Sequence, residues 1–288
     1  MSISNSAVLT ELNISVWTAN KLDRNATEAV LATNAASRDS AQVRKNLMAG
    51  TDKRKKIADY AARIRLYHNQ NTLSWSDKGA RLLPTSMFME YKQTMNVMRD
   101  NFYKMMGDFL DNYDALVDNS KLHLGALFCA DDYPTRDEVA AKFGFKLVFS
   151  PLPESGDFRL DIPAADIAEL SSSYEAQFND RLTDAMREPW ERLHKVLEHM
   201  SDKLTDIEVP EGEEAPKKRW HDTFITNAQE LCSMLTHLNI TKDPQLEAAR
   251  RALEVTMLGA DMDDIKDLPE ARSALKSKVD DILGKFSW

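Results

Sequence analysis

The chain has 288 residues, 43% of them hydrophobic and 29% charged, which is enough apolar material for a sizeable core and excludes global disorder. With only 9 glycines and 10 prolines, an all-β sandwich or barrel is disfavoured, because the turns of such folds use these residues. The net charge of −9 disfavours general binding to nucleic acid or anionic membranes, but residues 1–75 carry 11 Lys and Arg against 6 Asp and Glu, which leaves room for a local exception.

The sequence also indicates a cellular compartment. No run approaches about 18 consecutive apolar residues, so we expect no membrane-spanning helix. The polar start of the chain lacks a cationic segment followed by an apolar run, which predicts no secretory signal. Cys129 and Cys232 lie far apart, so we expect no disulfide framework and two small buried residues in a reducing environment. These features favour the cytoplasm, or the host cytoplasm for a phage-encoded chain.

Short elements are expected in the first part of the chain. Leu12, Ile14 and Val16 alternate with polar residues, which predicts a half-buried strand. Turn residues at 76–79 between two apolar runs predict a hairpin of Leu73–Trp75 with Arg81–Leu83. The intervening helices are predicted at Asn25–Ala36, Ala41–Met48 and Asp52–Asn69.

The helix at Asp52–Asn69 is the best candidate for partner binding. Its outer face groups cations, as a surface that neutralises phosphates requires. The simpler alternative, which the pattern favours, is an ordinary solvated helix face or one paired with the acidic part of the chain. The candidate nucleic-acid contacts are Lys53, Arg54, Lys55, Lys56, Arg63 and Arg65.

The strongest pattern in the chain is a heptad seam between Thr85 and Val117. Apolar residues recur in steps of three and four, broken only by Asn112, which predicts one long helix of roughly 45 Å. Burial in the core is the default interpretation of such a stripe, and a protein-interaction surface is the alternative. The seam residues considered for that surface are Phe88, Tyr91, Met95, Met98, Phe102, Met105 and Phe109.

A second long helix is predicted at Pro163–Leu204. Its apolar residues recur at a mean step of about 3.7, nearer to an eleven-residue period than to a heptad, and Pro189 should either kink it or begin a new helix. The other predicted elements are a capping-box helix at Thr135–Lys142, strands at Phe145–Phe149 and Phe158–Ile162, and helices at Lys217–Leu238, Pro244–Leu258 and Pro269–Phe286.

These elements predict an α+β fold that is predominantly α. The two long helices would form an antiparallel, coiled-coil-like hairpin, with a small antiparallel sheet at one end and a bundle of C-terminal helices. We expect a helical-hairpin domain at 1–207, an acidic linker at 208–216 and a C-terminal helical region at 217–288.

Motifs for catalysis or metal binding are missing from the sequence. It contains no P-loop, no dinucleotide-binding glycine pattern, no nucleophile elbow and no paired Cys motif. Glu191, His194 and Glu198 share a helix face but lack further ligands for zinc. The acidic groups at 131–132 and 261–264 lack the spacing of a calcium loop, so capping and solubility are the favoured roles. We therefore expect no catalytic residue, no cofactor and no metal.

The middle of the chain resembles an uncharacterised phage and bacterial family, the domain of unknown function numbered three-one-five-zero. The resemblance covers roughly residues 10–210 and offers no catalytic residue. Genes of this family tend to lie near MoxR-type AAA+ ATPases and von Willebrand A proteins, which implies an accessory or adaptor role. The segments that carry it are Leu12–Trp17, Leu83-Pro84, Phe109-Leu110 with Tyr113, Asp132-Tyr133-Pro134, Phe143-Gly144-Phe145, Pro151-Leu152-Pro153 and Asp157-Phe158-Arg159.

Two functions are therefore expected. The first is a non-enzymatic phage-type accessory or scaffold protein that acts through protein–protein interaction, as an adaptor of a MoxR-type AAA+ ATPase and with the capacity to self-assemble. The alternative is a nucleic-acid-binding accessory protein that uses the basic helix at 53–65. An enzyme without recognisable motifs stays open as a third class.

Overall fold

A computed structural model describes residues 3–77, 79–153, 163–206, 220–221, 223–286 and 288. Within these residues the fold is α+β and predominantly α, as predicted, with ten α-helices and six strands. None of the helices in the described ranges is both long and apolar enough to cross a membrane.

The helices account for most of the chain, and the strands are short. The strands are β1 Ala7–Ser15, β2 Asn20–Leu22, β3 Arg44–Asn46, β4 Leu73–Ser74, β5 Arg81–Pro84 and β6 Gly144–Ser150. The helices are α1 Arg24–Thr33, α2 Lys53–Gln70, α3 Phe88–Asp111, α4 Tyr113–Leu124, α5 Arg136–Ala140, α6 Ala164–Leu204, α7 Thr223–Leu238, α8 Pro244–Leu258, α9 Met262–Asp267 and α10 Pro269–Lys285.

The chain divides into two compact units, each built from several segments. Unit 1 comprises Met1–Glu11, Gln70–Met89 and Phe149–Trp288, and unit 2 comprises Leu12–Asn69 and Glu90–Val148. The predicted domain boundary at 208–216 and the predicted strand Phe158–Ile162 lie outside the described residues. The pairing of the two long helices into one hairpin stays a prediction.

A small four-stranded antiparallel sheet has the order β4-β5-β1-β6. The predicted hairpin is present, with Leu73 opposite Leu82, and β5 continues the pairing with β1. A separate two-stranded ribbon joins β2 and β3. The helix predicted at Ala41–Met48 is therefore wrong, because the segment around Lys45 forms backbone hydrogen bonds with β2 instead of with itself.

The core of unit 2 is rich in aromatic side chains. Trp17 packs against Phe109 and Tyr113, with ring centroids 6.3 and 6.1 Å apart, and Phe143 lies 6.0 Å from Phe109. Helix α2 contributes one stripe of buried residues to this unit, which consists of Ile57, Ala61, Ile64 and His68. The spacing of that stripe leaves the opposite side of α2 to solvent.

The first long helix ends earlier than the heptad pattern predicts. Helix α3 stops at Asp111, and α4 begins at Tyr113. The Asn112 side chain donates to the Asp108 carbonyl at 2.7 Å, and such local bonds compete with the helical ladder. The single polar residue in the seam therefore marks the break.

Unit 1 contains the second long helix and the C-terminal helices. Helix α6 packs against α10 and α7, and α7 packs against α8. The second half of α6 shares one hydrophobic core with these helices, and central members of that core are Leu193, Leu197, Leu235, Leu253 and Val279. The C-terminal helices thus form a bundle that is docked on α6.

Pro189 neither ends nor restarts the second long helix, because α6 continues through it. The residue before it, Glu188, accepts hydrogen bonds from the Ser74 backbone N–H at 2.8 Å, from Arg81 at 3.1 Å and from Arg192 at 2.7 Å. Arg192 also donates to the Thr72 carbonyl at 2.9 Å. This network attaches the β4–β5 hairpin to α6 at the point where proline removes a backbone donor.

Candidate nucleic-acid interface

The outer face of α2 presents a dense group of cations. We call it the basic face and define it by Lys53, Lys55, Lys56 and Arg63, all of which are exposed. Lys55, Lys56 and Arg63 lie away from the buried stripe of the helix, and Lys53, four residues before Ile57, lies exposed at the N-terminal end of that stripe. The sequence predicts six cations on this face. In the structure, Arg54 and Arg65 differ from the other four in their contacts.

Arg54 and Arg65 form the second subset, because both bind backbone carbonyls of unit 2. Arg65 Nη2 donates to the Ile14 carbonyl at 2.7 Å, and Arg54 Nη1 donates to the Trp17 carbonyl at 3.4 Å. These bonds attach α2 to the end of β1 and the residues just after it. The two arginines therefore position the helix and are less available to a ligand than the basic face.

Two members of the basic face have weak local partners. Lys56 pairs with Asp52 at 3.0 Å, but both side chains are largely exposed, so the pair contributes little stability and can yield to a ligand. The Arg63 guanidinium lies 5.8 Å from the centre of the Tyr60 ring. In the described part of the chain, Lys53 and Lys55 form no ion pair, so the basic face carries uncompensated positive charge.

The seam residues proposed as a protein surface lie mostly inside the molecule. Tyr91, Met95, Phe102 and Phe109 are at most 1% exposed, so they belong to the protein's own core. Phe88, Met98 and Met105 are half-buried. A partner that binds the seam would therefore reach only its partly exposed members.

A second charged group in unit 2 was not predicted. Lys21 and Lys45 lie opposite each other on β2 and β3, and Asp132 pairs with both, at 2.9 Å in the case of Lys21. Lys45 also pairs with Asp23 at 3.2 Å and donates to the Leu127 carbonyl at 2.9 Å. No sequence signal could have found this cluster, because its members are brought together from distant segments.

This cluster lines an open cavity of about 450 Å³. Hydrogen bonding to Asp132 raises the pKa of Lys45 despite its burial. Burial raises the pKa of Asp132, but the hydrogen bonds from Lys45 and Lys21 outweigh it, and the pKa of this carboxyl lies below its usual value. Both groups are thus held in their charged forms, which suits a structural ion cluster and opposes a role of Lys45 as a nucleophile or general base.

The two cysteines differ in their surroundings. Cys232 is buried, and burial raises the pKa of its thiol to about 11, so it is an inert apolar side chain at neutral pH. The prediction of burial is wrong for Cys129, which is exposed and lies at the cavity with Asp132. The turn at Ala130–Asp132 places its backbone at the surface.

The acidic and histidine groups considered as metal ligands have other partners. His194 lies 3.5 Å from Glu198, and its ring lies 5.0 Å from the Trp288 ring in a tilted arrangement. Asp261 caps α9 by accepting from the Asp263 and Asp264 backbone N–H groups. Within the described ranges, no group of three or more His, Cys, Asp or Glu side chains is arranged to hold a metal ion.

Comparison of the chain with models of known protein families, with curated proteins and with solved structures gave no match.

Proposed function

We propose that this chain is a non-enzymatic accessory protein that binds nucleic acid through the basic face of α2. The observation that carries the proposal is the separation of roles among the cations of this helix. Arg54 and Arg65 donate to backbone carbonyls and fix the helix, whereas Lys53 and Lys55 form no ion pair with any residue that the structure describes. A rigid row of free cations is what neutralisation of a phosphate backbone requires.

The overall acidity of the chain limits this function to one surface. A protein with a net charge of −9 is repelled by a polyanion everywhere except where its own cations are concentrated. Binding should therefore be weak, local and strongly salt-dependent. We place this activity in the cytoplasm, or in the cytoplasm of the host for a phage-encoded chain.

The test is the affinity of the full chain for fluorescently labelled nucleic acid at about 50 mM salt, measured by anisotropy. Lys53→Glu with Lys56→Glu should abolish binding, because it reverses two of the four charges of the basic face. The matched control is Lys142→Glu with Lys146→Glu, which changes the net charge equally at two exposed sites elsewhere in unit 2 and should retain most of the affinity. No binding by the unmodified protein, or an equal loss in both variants, would reject the proposal.

A scaffold role in protein–protein interaction is the second candidate. The first half of α6 supports it, because the buried residues of this helix begin only at Ala185, while Ile167 and Tyr174 are half-buried and Leu170 is 40% exposed. An apolar stripe of this kind suits a protein partner, such as a second copy or the MoxR-type AAA+ ATPase that the family resemblance implies.

Self-assembly through this stripe predicts oligomers in light scattering coupled to size-exclusion chromatography. Leu170→Glu should dissociate them, and Ser172→Glu, at an exposed polar position of the same helix, should leave them intact. A monomeric unmodified protein would reject self-assembly. The adaptor role requires an AAA+ ATPase to copurify with the chain from the cells that produce it, and its consistent absence would reject that role.

A further inference from the structure

We infer that the basic face recognises the backbone of a double helix, without reading its sequence, and that it does not favour an unpaired strand. The inference rests on the proposed nucleic-acid function and specifies its ligand. Three features of α2 support it. Its aromatic rings already contact other groups of the protein, its cations are spaced along a helix that is attached to unit 2, and the residues opposite its buried stripe include few that read bases.

The aromatic rings of α2 are already engaged. The Tyr67 ring stacks on Tyr91, with centroids 5.9 Å apart and an angle of 13° between the planes. The Tyr60 ring is half-buried and covered by the Arg63 guanidinium at 5.8 Å. Proteins that bind single strands offer open rings on which unpaired bases stack. On α2 that source of affinity is already used within the protein.

The helix fixes the spacing of the backbone positions that carry the cations. Lys53 and Arg63 are ten residues apart, which corresponds to about 15 Å along the helix axis. The helix itself is attached to unit 2 by the Arg65 bond to the Ile14 carbonyl and by its buried stripe. A rigid row of this length matches phosphates that are already fixed in a duplex, whereas a flexible strand must lose conformational freedom to align with it.

The outermost line of α2, which lies opposite its buried stripe, offers few groups that read base edges. Helical spacing places Lys55, Asp59, Ala62 and Leu66 on this line, and all four are exposed. Guanine is read by Arg or Lys and cytosine by Glu or Asp, so Lys55 and Asp59 are the candidates on this line, which carries no Arg, Asn or Gln. A lysine ammonium is a compact point charge without the fixed fork of a guanidinium, so it distinguishes bases weakly. The Asp59 carboxylate also repels phosphates, so the helix should lie across the backbone and contact it from its flanks.

The experiment compares one 20-base-pair DNA duplex, its two separated strands and a second duplex of unrelated sequence, by anisotropy with the full chain at about 100 mM salt. We expect the duplex to bind at least tenfold more tightly than either strand, and the two duplexes to agree within threefold. The slope of log K against log salt should lie between about −3 and −4, since four cations each release counterions. Lys53→Gln should make this slope shallower by about 1, and Lys142→Gln should leave it unchanged.

Asp59→Ala gives an independent readout that a folding defect could not imitate, because it removes the carboxylate without adding a base-reading group and should tighten binding to both duplexes severalfold. Equal or tighter binding of a single strand, or a difference of more than tenfold between the duplexes, would overturn the inference while the nucleic-acid function stands. Binding to none of the probes would overturn the proposed function and the inference together. Weaker duplex binding by Asp59→Ala would also contradict the inference.

Discussion

Lys21 and Lys45 lie directly opposite each other in the β2–β3 ribbon, where two ammonium groups repel. Asp132 lies between them and pairs with both. Lys45 is 8% exposed, so it could not remain charged in this position without carboxylate partners. One aspartate from a distant turn therefore allows the ribbon to form, and this makes Asp132 a structural residue of unit 2.

Removal of the Asp132 carboxylate should destabilise the folded protein. We expect Asp132→Ala to lower the free energy of unfolding by about 2 to 3 kcal/mol, somewhat less than loss of a sole partner, since Asp23 remains beside Lys45. Urea denaturation at pH 7 measures the change. The neighbouring Asp131 is exposed, so Asp131→Ala is the matched control and should change stability by less than about 0.5 kcal/mol. Equal effects of the two variants would contradict the structural role of Asp132.

A carboxylate in the C-terminal bundle should control stability in acid. Hydrogen bonds from Arg250, and then from Arg251, lower the pKa of Glu247 to about 2. The folded state thus holds Glu247 ionised where the unfolded chain would take up a proton, and its stabilisation is present above about pH 4.5 and lost as the pH falls towards 2. Allowing for solvent screening, we expect roughly 1 kcal/mol from this group.

The prediction is tested by the free energy of unfolding of the intact chain at pH 7 and pH 3. The decrease should be smaller in Glu247→Gln than in the unmodified protein, because the variant has no proton to take up at this position. Glu254→Gln removes the other carboxylate partner of Arg250 and should retain the full decrease. If Glu247→Gln shows the same decrease as the unmodified protein, Glu247 is not the group responsible.

At the scale of elements, the loop before α2 depends on a single glycine. Gly50 has a φ of +78°, in the left-handed region, and a Cβ at this position would lie 2.1 Å from the His123 ring and 2.8 Å from Asn119. The carbonyl of Gly50 also accepts from the Asn119 side chain at 3.2 Å. The start of the basic helix is therefore fitted against α4 at a position that only glycine suits.

Gly50→Ala should destabilise the protein by about 1 to 2 kcal/mol through backbone strain alone, with a further loss if the His123 ring cannot move aside. The additional substitution His123→Ala removes that clash. The double variant should therefore regain the stability lost to the clash, while the loss caused by backbone strain should remain. The control is Gly259→Ala, where φ is −100° and no atom lies within 4 Å of the added Cβ, and it should be neutral or slightly stabilising. Thermal unfolding of the four proteins checks this, and a neutral Gly50→Ala would contradict it.

Helices whose ends are marked by capping residues or by a first-turn proline could be predicted from the sequence. The bounds of α8 agree at both ends, because Asp243 caps the helix and Pro244 occupies its first turn. The capping box of Thr135 with Glu138 is also present, although α5 is shorter than predicted. These elements were found because their signals lie within a few residues of the structure that they specify.

Elements that depend on distant partners could not be predicted. The sequence predicts a helix where β3 lies, because the pairing of this strand with β2 is not visible within its own segment. It gives no signal for the short helix α9, because one turn and a half carries little periodicity. The candidate interface shows the same difference between local signals and distant contacts. Sequence spacing predicts the cations of α2, but which of them position the helix depends on the carbonyls of Ile14 and Trp17, to which only Arg65 and Arg54 donate.

At the scale of the whole molecule, the basic face belongs to a chain whose net charge is −9. Charges act over the Debye length, which is about 10 Å at 0.1 M salt and about 30 Å at 0.01 M. Near physiological salt a polyanion at α2 is influenced mainly by the basic face. At low salt the carboxylates of the whole chain contribute, and their repulsion opposes binding. The two contributions therefore respond to salt in opposite directions.

This opposition predicts a curved salt dependence of nucleic-acid binding. Log K should rise linearly as salt falls from about 300 to 100 mM, and the slope should become shallower below about 30 mM, where repulsion by the acidic remainder is no longer screened. Asp263→Asn with Asp264→Asn, which removes two of the negative charges of the chain, should reduce the curvature. Titrations of both proteins between 10 and 300 mM measure the effect. A plot that stays linear down to 10 mM would mean that the basic face acts independently of the charge on the rest of the molecule.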